Sequence, residues 1–219
     1  MSDSAQLPRW TAAPRTSSVP AEIRNAIYEF TLLDSRRVRI ITGRDFRIST
    51  GLFRVNKTIH QEATQFLFSH KVFDFLECSL YHQRFFLRQI SVRNASYIRH
   101  VIINFPEFFS LPINVALNRR SLGVLESIST SCTGLSTLRT SLGSTAYMES
   151  RLCDLFDGNR ATEALQLVNT HFRAFPSRPE IILEVYEDAP SAFLRAIMKS
   201  QGWTLNINKS PIRVISWAS

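Results

Sequence analysis

The stretch Glu180-Ile181-Ile182-Leu183-Glu184-Val185-Tyr186 decides the fold, because it is the clearest strand of the C-terminal half of the chain. A short apolar run rich in Ile and Val is typical of a buried β-strand. The pattern of residues 190–201 then predicts a helix, and residues 203–207 predict another strand. A strand, a helix and a second strand in this order are typical of a crossover unit in a parallel sheet.

The same order of strand and helix recurs upstream. Residues 98–105 and 135–140 read as strands, and a helical pattern follows each of them. The first of these helices is predicted to include Leu117, and the second covers residues 162–172. We therefore predict that residues 98–219 form an α/β interaction domain, arranged as a degenerate leucine-rich-repeat-like arc.

The N-terminal half begins with a short helix. Residues 1–18 lack the apolar core of a signal peptide and read as a flexible tail. Pro20 suits the first turn of a helix, where its missing N–H costs nothing. The apolar face of this predicted helix comprises Ile23, Ala26, Ile27 and Phe30, and its other face comprises Arg24, Asn25, Tyr28 and Glu29.

A small β-hairpin is predicted next, since residues 37–41 and 45–48 alternate on either side of Gly43. A second helix is expected from about residue 50 onward, because its apolar residues keep a helical spacing. These apolar residues are Leu52, Val55, Ile59, Ala63, Phe66 and Leu67. A short strand over residues 71–76 and a helix over residues 80–90 complete the N-terminal half.

The composition is that of an ordinary globular protein, with 44% hydrophobic and 20% charged residues. The formal net charge is +8, and the basic residues concentrate in residues 34–57. The arginines of the predicted hairpin are Arg36, Arg37, Arg39, Arg44 and Arg47. They could contact phosphate or an acidic protein, or they could keep an exposed sheet edge soluble. Aromatic residues for base stacking are scarce there, so we favour a solvated hairpin over a nucleic-acid site.

No catalytic motif stands out in the sequence. The chain has seven glycines, none of which forms a phosphate-binding loop, and it lacks the nucleophile-elbow and HExxH patterns. His60 and Glu62 are two positions apart on a helix, so they do not share a face for a metal ion. We predict a protein that is not an enzyme and needs no cofactor or metal.

Three features indicate an intracellular protein. The chain has three widely spaced cysteines, Cys78, Cys132 and Cys153, which is typical of reduced thiols. The longest apolar runs are far shorter than the roughly 20 residues needed to cross a bilayer. Together with the missing export signal, these features predict a cytoplasmic or nuclear location without membrane contact.

Two blocks in the first half of the chain stand out, VPAEIRNAIYE at residues 19–29 and LFRVNKTIHQEA at residues 52–63. They resemble the first and second blocks of the F-box-like proteins that are abundant in filamentous fungi. The aromatic residues of 66–75 and the entry into a strand near Ile98 resemble the landmarks that follow. The resemblance implies an F-box-like module over residues 19–97.

F-box proteins bind the small adaptor subunit of an SCF-type cullin–RING ubiquitin ligase and present a protein substrate to it. The resemblance therefore implies a substrate-recognition subunit that works by proximity. Carried over by position, the docking residues are Val19, Pro20, Ile23, Ile27, Leu52 and Val55. Two alternatives stay open at this point: an interaction scaffold without ligase docking, and a basic nucleic-acid-binding protein that uses the five hairpin arginines.

Overall fold

The computed structural model describes residues 19–33, 37–40, 51–111, 114–155, 158–188 and 191–209. Within these ranges the fold is mixed α/β, with eight α-helices and a mostly parallel sheet. The predicted tail and the second strand of the predicted hairpin lie outside the described residues.

The helices are α1 Ala21–Leu32, α2 Lys57–His70, α3 Leu80–Gln89, α4 Val92–Ser96, α5 Arg119–Ser131, α6 Leu142–Cys153, α7 Gly158–Arg173 and α8 Ala192–Ser200. A 3₁₀ turn over Leu52–Arg54 precedes α2. Side-chain oxygens cap six of these helices by accepting a backbone N–H from the first turn, as such residues favour. The capping residues are Asn56, Ser79, Ser91, Asn118, Ser141 and Ser191.

The strands are β1 Arg37–Arg39, β2 Val72–Asp74, β3 His100–Ile103, β4 Phe108–Ser110, β5 Asn114–Leu117, β6 Thr137–Thr140, β7 Glu180–Tyr186 and β8 Thr204–Asn208. Six of them form one sheet in the order β1-β2-β3-β6-β7-β8, and every neighbouring pair is parallel. At least one helix lies between each strand and the next one in this sheet. The antiparallel pair of β4 and β5 is inserted after β3.

One face of the sheet is the core. Side chains alternate between the two faces of a strand, and the register aligns Phe73, Val101, Leu138 and Ile181 across four strands. All four side chains are buried. Helical residues cover this face, as where the Phe68 ring stacks on Phe73 with centroids 5.6 Å apart. Burial of each such large side chain stabilises the fold by roughly 1.5–3 kcal/mol.

Several predicted elements differ from the observed ones for local reasons. Leu117 belongs to β5, and α5 begins after the capping residue Asn118. The second helix begins at Lys57 because Asn56 is extended and caps it, which leaves residues 52–54 in a separate 3₁₀ turn. Residues 37–41 were predicted as the first strand of a hairpin, whereas the observed β1 pairs in parallel with β2 at the edge of the sheet.

Candidate protein-interaction surfaces

The first helix is turned opposite to the prediction. Tyr28 and Leu32 are only 2% and 3% exposed, whereas Ile23, Ile27 and Phe30 are 53%, 43% and 87% exposed. We call these three exposed side chains the apolar α1 face. The predicted inner face of the helix therefore lies at the surface, and the predicted outer face contains the residues that pack inward.

Glu62 of α2 is the reason for this orientation. Arg24 donates from Nε and Nη2 to the two Glu62 carboxylate oxygens, over 2.8 and 2.9 Å, and Tyr28 donates its hydroxyl to Oε2 over 2.9 Å. We call these three residues the α1–α2 clamp. The Tyr28 ring also packs on Phe66, with centroids 5.8 Å apart. Tyrosine can be buried when its hydroxyl has a partner, and here the partner is 34 residues away.

The charges of the clamp match its hydrogen bonds. The hydrogen bond from Arg24 holds the pKa of Glu62 below its ordinary value of 4.5. Burial, with the adjacent carboxylate, raises the pKa of Tyr28 to about 12. At neutral pH the clamp therefore joins a cation, an anion and a neutral hydroxyl. Charge-assisted hydrogen bonds of this kind are among the stronger ones in proteins.

The sequence did not reveal the clamp, because helical periodicity ranks residues by polarity and placed Arg24 and Tyr28 outside. The sequence nevertheless contained a signal for the clamp, since its three residues all lie in the two blocks 19–29 and 52–63 that resemble F-box-like proteins. The neighbouring His60 also has a local role, because its Nδ1 lies 3.0 Å from the carbonyl oxygen of Phe53.

The six predicted docking residues differ in their exposure to solvent. Pro20, Ile23, Ile27 and Val55 are exposed, and they present apolar surface to solvent. Val19 is half-buried, and its carbonyl oxygen accepts a hydrogen bond from Arg24 Nη1 over 2.6 Å. Leu52 is half-buried and packs against the core.

The basic segment has an internal partner at the sheet edge. Arg37 donates from Nε to Asp74 Oδ2 over 2.7 Å, and Arg39 lies 4.0 Å from the same oxygen. Asp74 is buried. Arg36, Arg44 and Arg47 lie outside the described residues. The two described arginines of the predicted patch therefore offset a buried carboxylate, which reduces their availability to phosphate groups.

The second face of the sheet is polar, in contrast to the core face. We call it the polar sheet face. It comprises Arg37, Arg39, Asp74, His100, Thr137, Arg139, Glu180, Glu184, Thr204, Asn206 and Asn208, together with Val72, Ile102, Ile182 and Tyr186. Most of these side chains are half-buried or exposed. An array of such side chains across all six strands is a surface suited to binding another protein.

Hydrogen bonds hold the side chains of the polar sheet face in place. Glu184 accepts from Arg139 Nη1 at 3.0 Å, from Asn206 Nδ2 at 2.9 Å and from Asn208 Nδ2 at 2.6 Å. His100 Nδ1 lies 2.9 Å from Thr137 Oγ1, and burial lowers the pKa of His100 below its ordinary value. Because these contacts join neighbouring strands, they preorganise the surface.

The described residues offer little for nucleophilic or metal chemistry. Burial raises the pKa of Cys78 to about 11 and that of Cys132 to about 12, and it also raises the pKa of Cys153. The reactive thiolate form is therefore rare at neutral pH. Within the described ranges, no group of three or more His, Cys, Asp or Glu side chains could hold a metal ion.

In comparisons with known proteins, no family model matches this chain, and no curated protein or solved structure is significantly similar to it. None of the helices in the described part of the chain has the length and apolar character that a membrane span requires.

Proposed function

We propose that this chain is a substrate-recognition subunit of an SCF-type cullin–RING ubiquitin ligase, with an F-box-like module over residues 19–97. The observation that carries the proposal is the apolar α1 face. The two blocks that resemble F-box-like proteins supply the α1–α2 clamp, and the clamp directs Ile23, Ile27 and Phe30 toward solvent. Exposed apolar side chains grouped on one helix are typical of a protein-binding surface.

The energetics favour use of this face in binding. A helix that leaves three large apolar side chains in water loses the roughly 1.5–3 kcal/mol that burial of each would contribute. Docking on an adaptor subunit would recover part of that free energy. The module would then be held by its clamp on one side and by its partner on the other, with Pro20 and Val55 extending the contact.

The C-terminal part supplies most of the second surface that such a subunit needs. In this proposal, residues 98–219 form the leucine-rich-repeat-like interaction domain, and the polar sheet face binds the protein substrate. Arg139 and Glu184 fix the middle of this face, with the half-buried Ile182 as an apolar contact beside them. The chain itself performs no chemistry and acts by bringing the substrate close to the ligase.

Co-purification of the full chain with an SCF adaptor subunit tests the proposal. We expect the wild-type chain to bind, and we expect Ile23→Asp and Ile27→Asp to abolish binding, because a buried unpaired carboxylate is costly. Ile207→Asp is the matched control, since Ile207 is 59% exposed on β8 and far along the chain from α1. Circular dichroism and thermal unfolding establish that each variant is folded.

Absence of binding by the wild-type chain would refute the ligase role. The chain would then be better described as an interaction scaffold that shares features with F-box-like proteins. Equal binding by Ile23→Asp and wild type would refute the docking site. Nucleic-acid binding is disfavoured by the contacts of Arg37 and Arg39 with Asp74, and a steep loss of RNA or DNA affinity with added salt would reinstate it.

A further inference from the structure

A second unusual surface lies on α3, on the outward side of the helix. Tyr81, Arg84, Phe85 and Arg88 recur at the spacing i, i+3, i+4 and i+7, so they form one stripe along the helix. Tyr81 and Phe85 are 72% and 54% exposed, and their rings stack with centroids 6.4 Å apart. Tyr and Arg are the residue types most enriched at the energetic centres of protein interfaces.

A groove of about 390 Å³ runs beside this stripe, between α3, α4 and the end of α5. Leu87 and Ala95 line its floor but are 3% and 0% exposed, so the accessible apolar side chain among the three is Val92, at 83% exposure. Arg84 and Arg88 also line the groove. The α5 side contributes Glu126, Ser127, Thr130 and Ser131. The volume lies in the range that holds one or a few side chains of a bound ligand.

The charge on the groove is positive. Arg84 lies 3.8 Å from Glu126, and both side chains are mostly exposed, so this ion pair is weak. Arg88 makes no ion pair with any described residue. Two guanidinium groups and one loosely held carboxylate leave an excess of one positive charge beside an apolar floor.

We propose that the α3 stripe and this groove bind an acidic peptide segment of a partner protein that carries an apolar anchor residue. The anchor side chain packs against Leu87 and Val92, carboxylates of the segment pair with Arg84 and Arg88, and Phe85 covers the peptide from the stripe. The bound segment displaces Glu126 from Arg84. This surface is separate from the apolar α1 face, and the inference does not depend on a ligase role.

Selection of peptides from a random displayed library on the immobilised full chain tests this inference. We expect the selected peptides to be enriched in Asp and Glu next to an aliphatic or aromatic residue, relative to the unselected library. Their affinity, measured by fluorescence anisotropy, should fall at least about tenfold for Arg84→Glu/Arg88→Glu. It should also weaken as salt is added, because part of the attraction is electrostatic.

Lys199→Glu/Lys209→Glu is the matched control, because it makes the same change in net charge at two exposed positions in the C-terminal part. We expect it to bind the selected peptides as the wild type does. Phe85→Ser should weaken binding without any change in charge. If the charge-reversed α3 variant does not fold, Arg84→Gln/Arg88→Gln replaces it.

Four outcomes of the peptide experiments would overturn the inference. They are a failed selection, selected peptides without acidic enrichment, equal loss of affinity in the α3 variant and the control variant, and unchanged affinity in the α3 variant. A labelled single-stranded RNA that binds the wild type and loses affinity only in the α3 variant would assign the surface to nucleic acid instead.

Discussion

The Tyr28 side chain stabilises α1 in two ways, through its ring and through its hydroxyl. Its ring packs beside Phe66, and its hydroxyl donates to Glu62 over 2.9 Å, so a helix that is otherwise poor in buried side chains is held at its centre. Because Arg24 binds the same carboxylate, the position of α1 depends on three side chains. The exposure of Ile23 and Ile27 is a consequence of these contacts.

Tyr28→Phe should lower the free energy of unfolding by about 1 kcal/mol, the usual net contribution of such a hydrogen bond. The ring still fills its site, and only the donor to Glu62 is lost. Urea-induced unfolding followed by circular dichroism measures the change. Tyr147→Phe is the control, because Tyr147 is 59% exposed. An equal effect of both substitutions would show that the Tyr28 hydroxyl contributes nothing specific.

Glu62 should make the stability depend on pH in the acid range. Its pKa is held below the ordinary value of 4.5, mainly by the hydrogen bond from Arg24. The unfolded chain therefore binds the proton more readily, so the contribution is present above pH 4.5 and is lost as the pH falls through the lowered pKa. The stability difference between wild type and Glu62→Gln should shrink as the pH is lowered. A difference that is constant with pH would contradict this assignment.

Ser91 holds a strained backbone conformation between α3 and α4. Its φ of 75° and ψ of 156° lie in a region that is open almost only to glycine, while its side chain caps α4. Ser91→Gly should raise the free energy of unfolding by up to about 1 kcal/mol, because relief of strain exceeds the entropy and capping losses. Thermal unfolding measures this. Ser91→Ala, which loses the cap and keeps the strain, should be destabilised, and a stabilised alanine variant would refute the argument.

At the scale of elements, Arg195 connects α8 to α6 and to the end of β7. It donates to Glu149 Oε1 of α6 over 3.3 Å and to the backbone carbonyl oxygens of Tyr186 and Glu187 at the end of β7. Glu149 is 1% exposed. One guanidinium thus joins two helices and a strand end, and the carboxylate that it meets is removed from water.

Glu149 should act on stability in the direction opposite to Glu62. Burial raises its pKa above the ordinary value of 4.5, and the attraction of Arg195 offsets this only in part. Its contribution is therefore fully present below pH 4.5 and is lost as the pH rises through the raised pKa. Glu149→Gln keeps the acceptor for Arg195 without the buried charge.

The free energy of unfolding of Glu149→Gln, measured relative to wild type, should therefore increase as the pH rises from 4.5 toward neutrality. Urea unfolding at several pH values measures this. Glu149→Ala is the comparison, because it leaves Arg195 without its partner and should be destabilising by about 3 kcal/mol near neutral pH. A stability difference for the glutamine variant that falls with rising pH would contradict the assignment.

The elements that the sequence predicted well have strong local patterns. The strand at residues 180–186 and the helix at residues 80–90 match β7 and α3 nearly residue for residue. The helix α6 was not predicted, because its sequence LGSTAYMESRLC mixes Gly, Ser and Thr with few periodic apolar residues. Packing against β7 and the cap at Ser141 stabilise it instead. The packing on β7 joins distant parts of the chain, so local sequence does not report it, whereas the Ser141 cap is a local contact.

The same distinction applies to the candidate surfaces. Ile23 and Ile27 could be selected from the chain because they lie in a recognisable block, but their exposure depends on Glu62, which belongs to a different helix. The polar sheet face is a product of register, since it places Asp74, Ile102 and Arg139 side by side from three separate segments. Periodicity within one segment carries no information about such alignments.

At the scale of the whole molecule, the sheet crosses the boundary that separates the predicted module from the C-terminal part. The boundary after residue 97 falls between α4 and β3, yet β2 pairs with β3 over three residue positions, Val72 with His100, Phe73 with Val101 and Asp74 with Ile102. The core face continues from Phe73 into Val101 and Leu138. The proposed docking module and the proposed substrate surface therefore share one hydrophobic core.

A shared core should make the two parts unfold together, and the cysteines can report this. Cys78 belongs to the first part and Cys132 to the second, and both are buried, with pKa values raised to about 11 and about 12. Native thiols of this kind react slowly because they are covered and protonated, whereas unfolding restores an ordinary thiol near pKa 8.5. We expect pulsed alkylation along a urea series, read by mass spectrometry, to give one midpoint for Cys78 and Cys132.

Cys153, which is half-buried, should react at lower urea. Labelling of Cys78 well before Cys132 would instead mean that residues 19–97 unfold on their own, and the β2–β3 pairing would then contribute little to the stability of the whole.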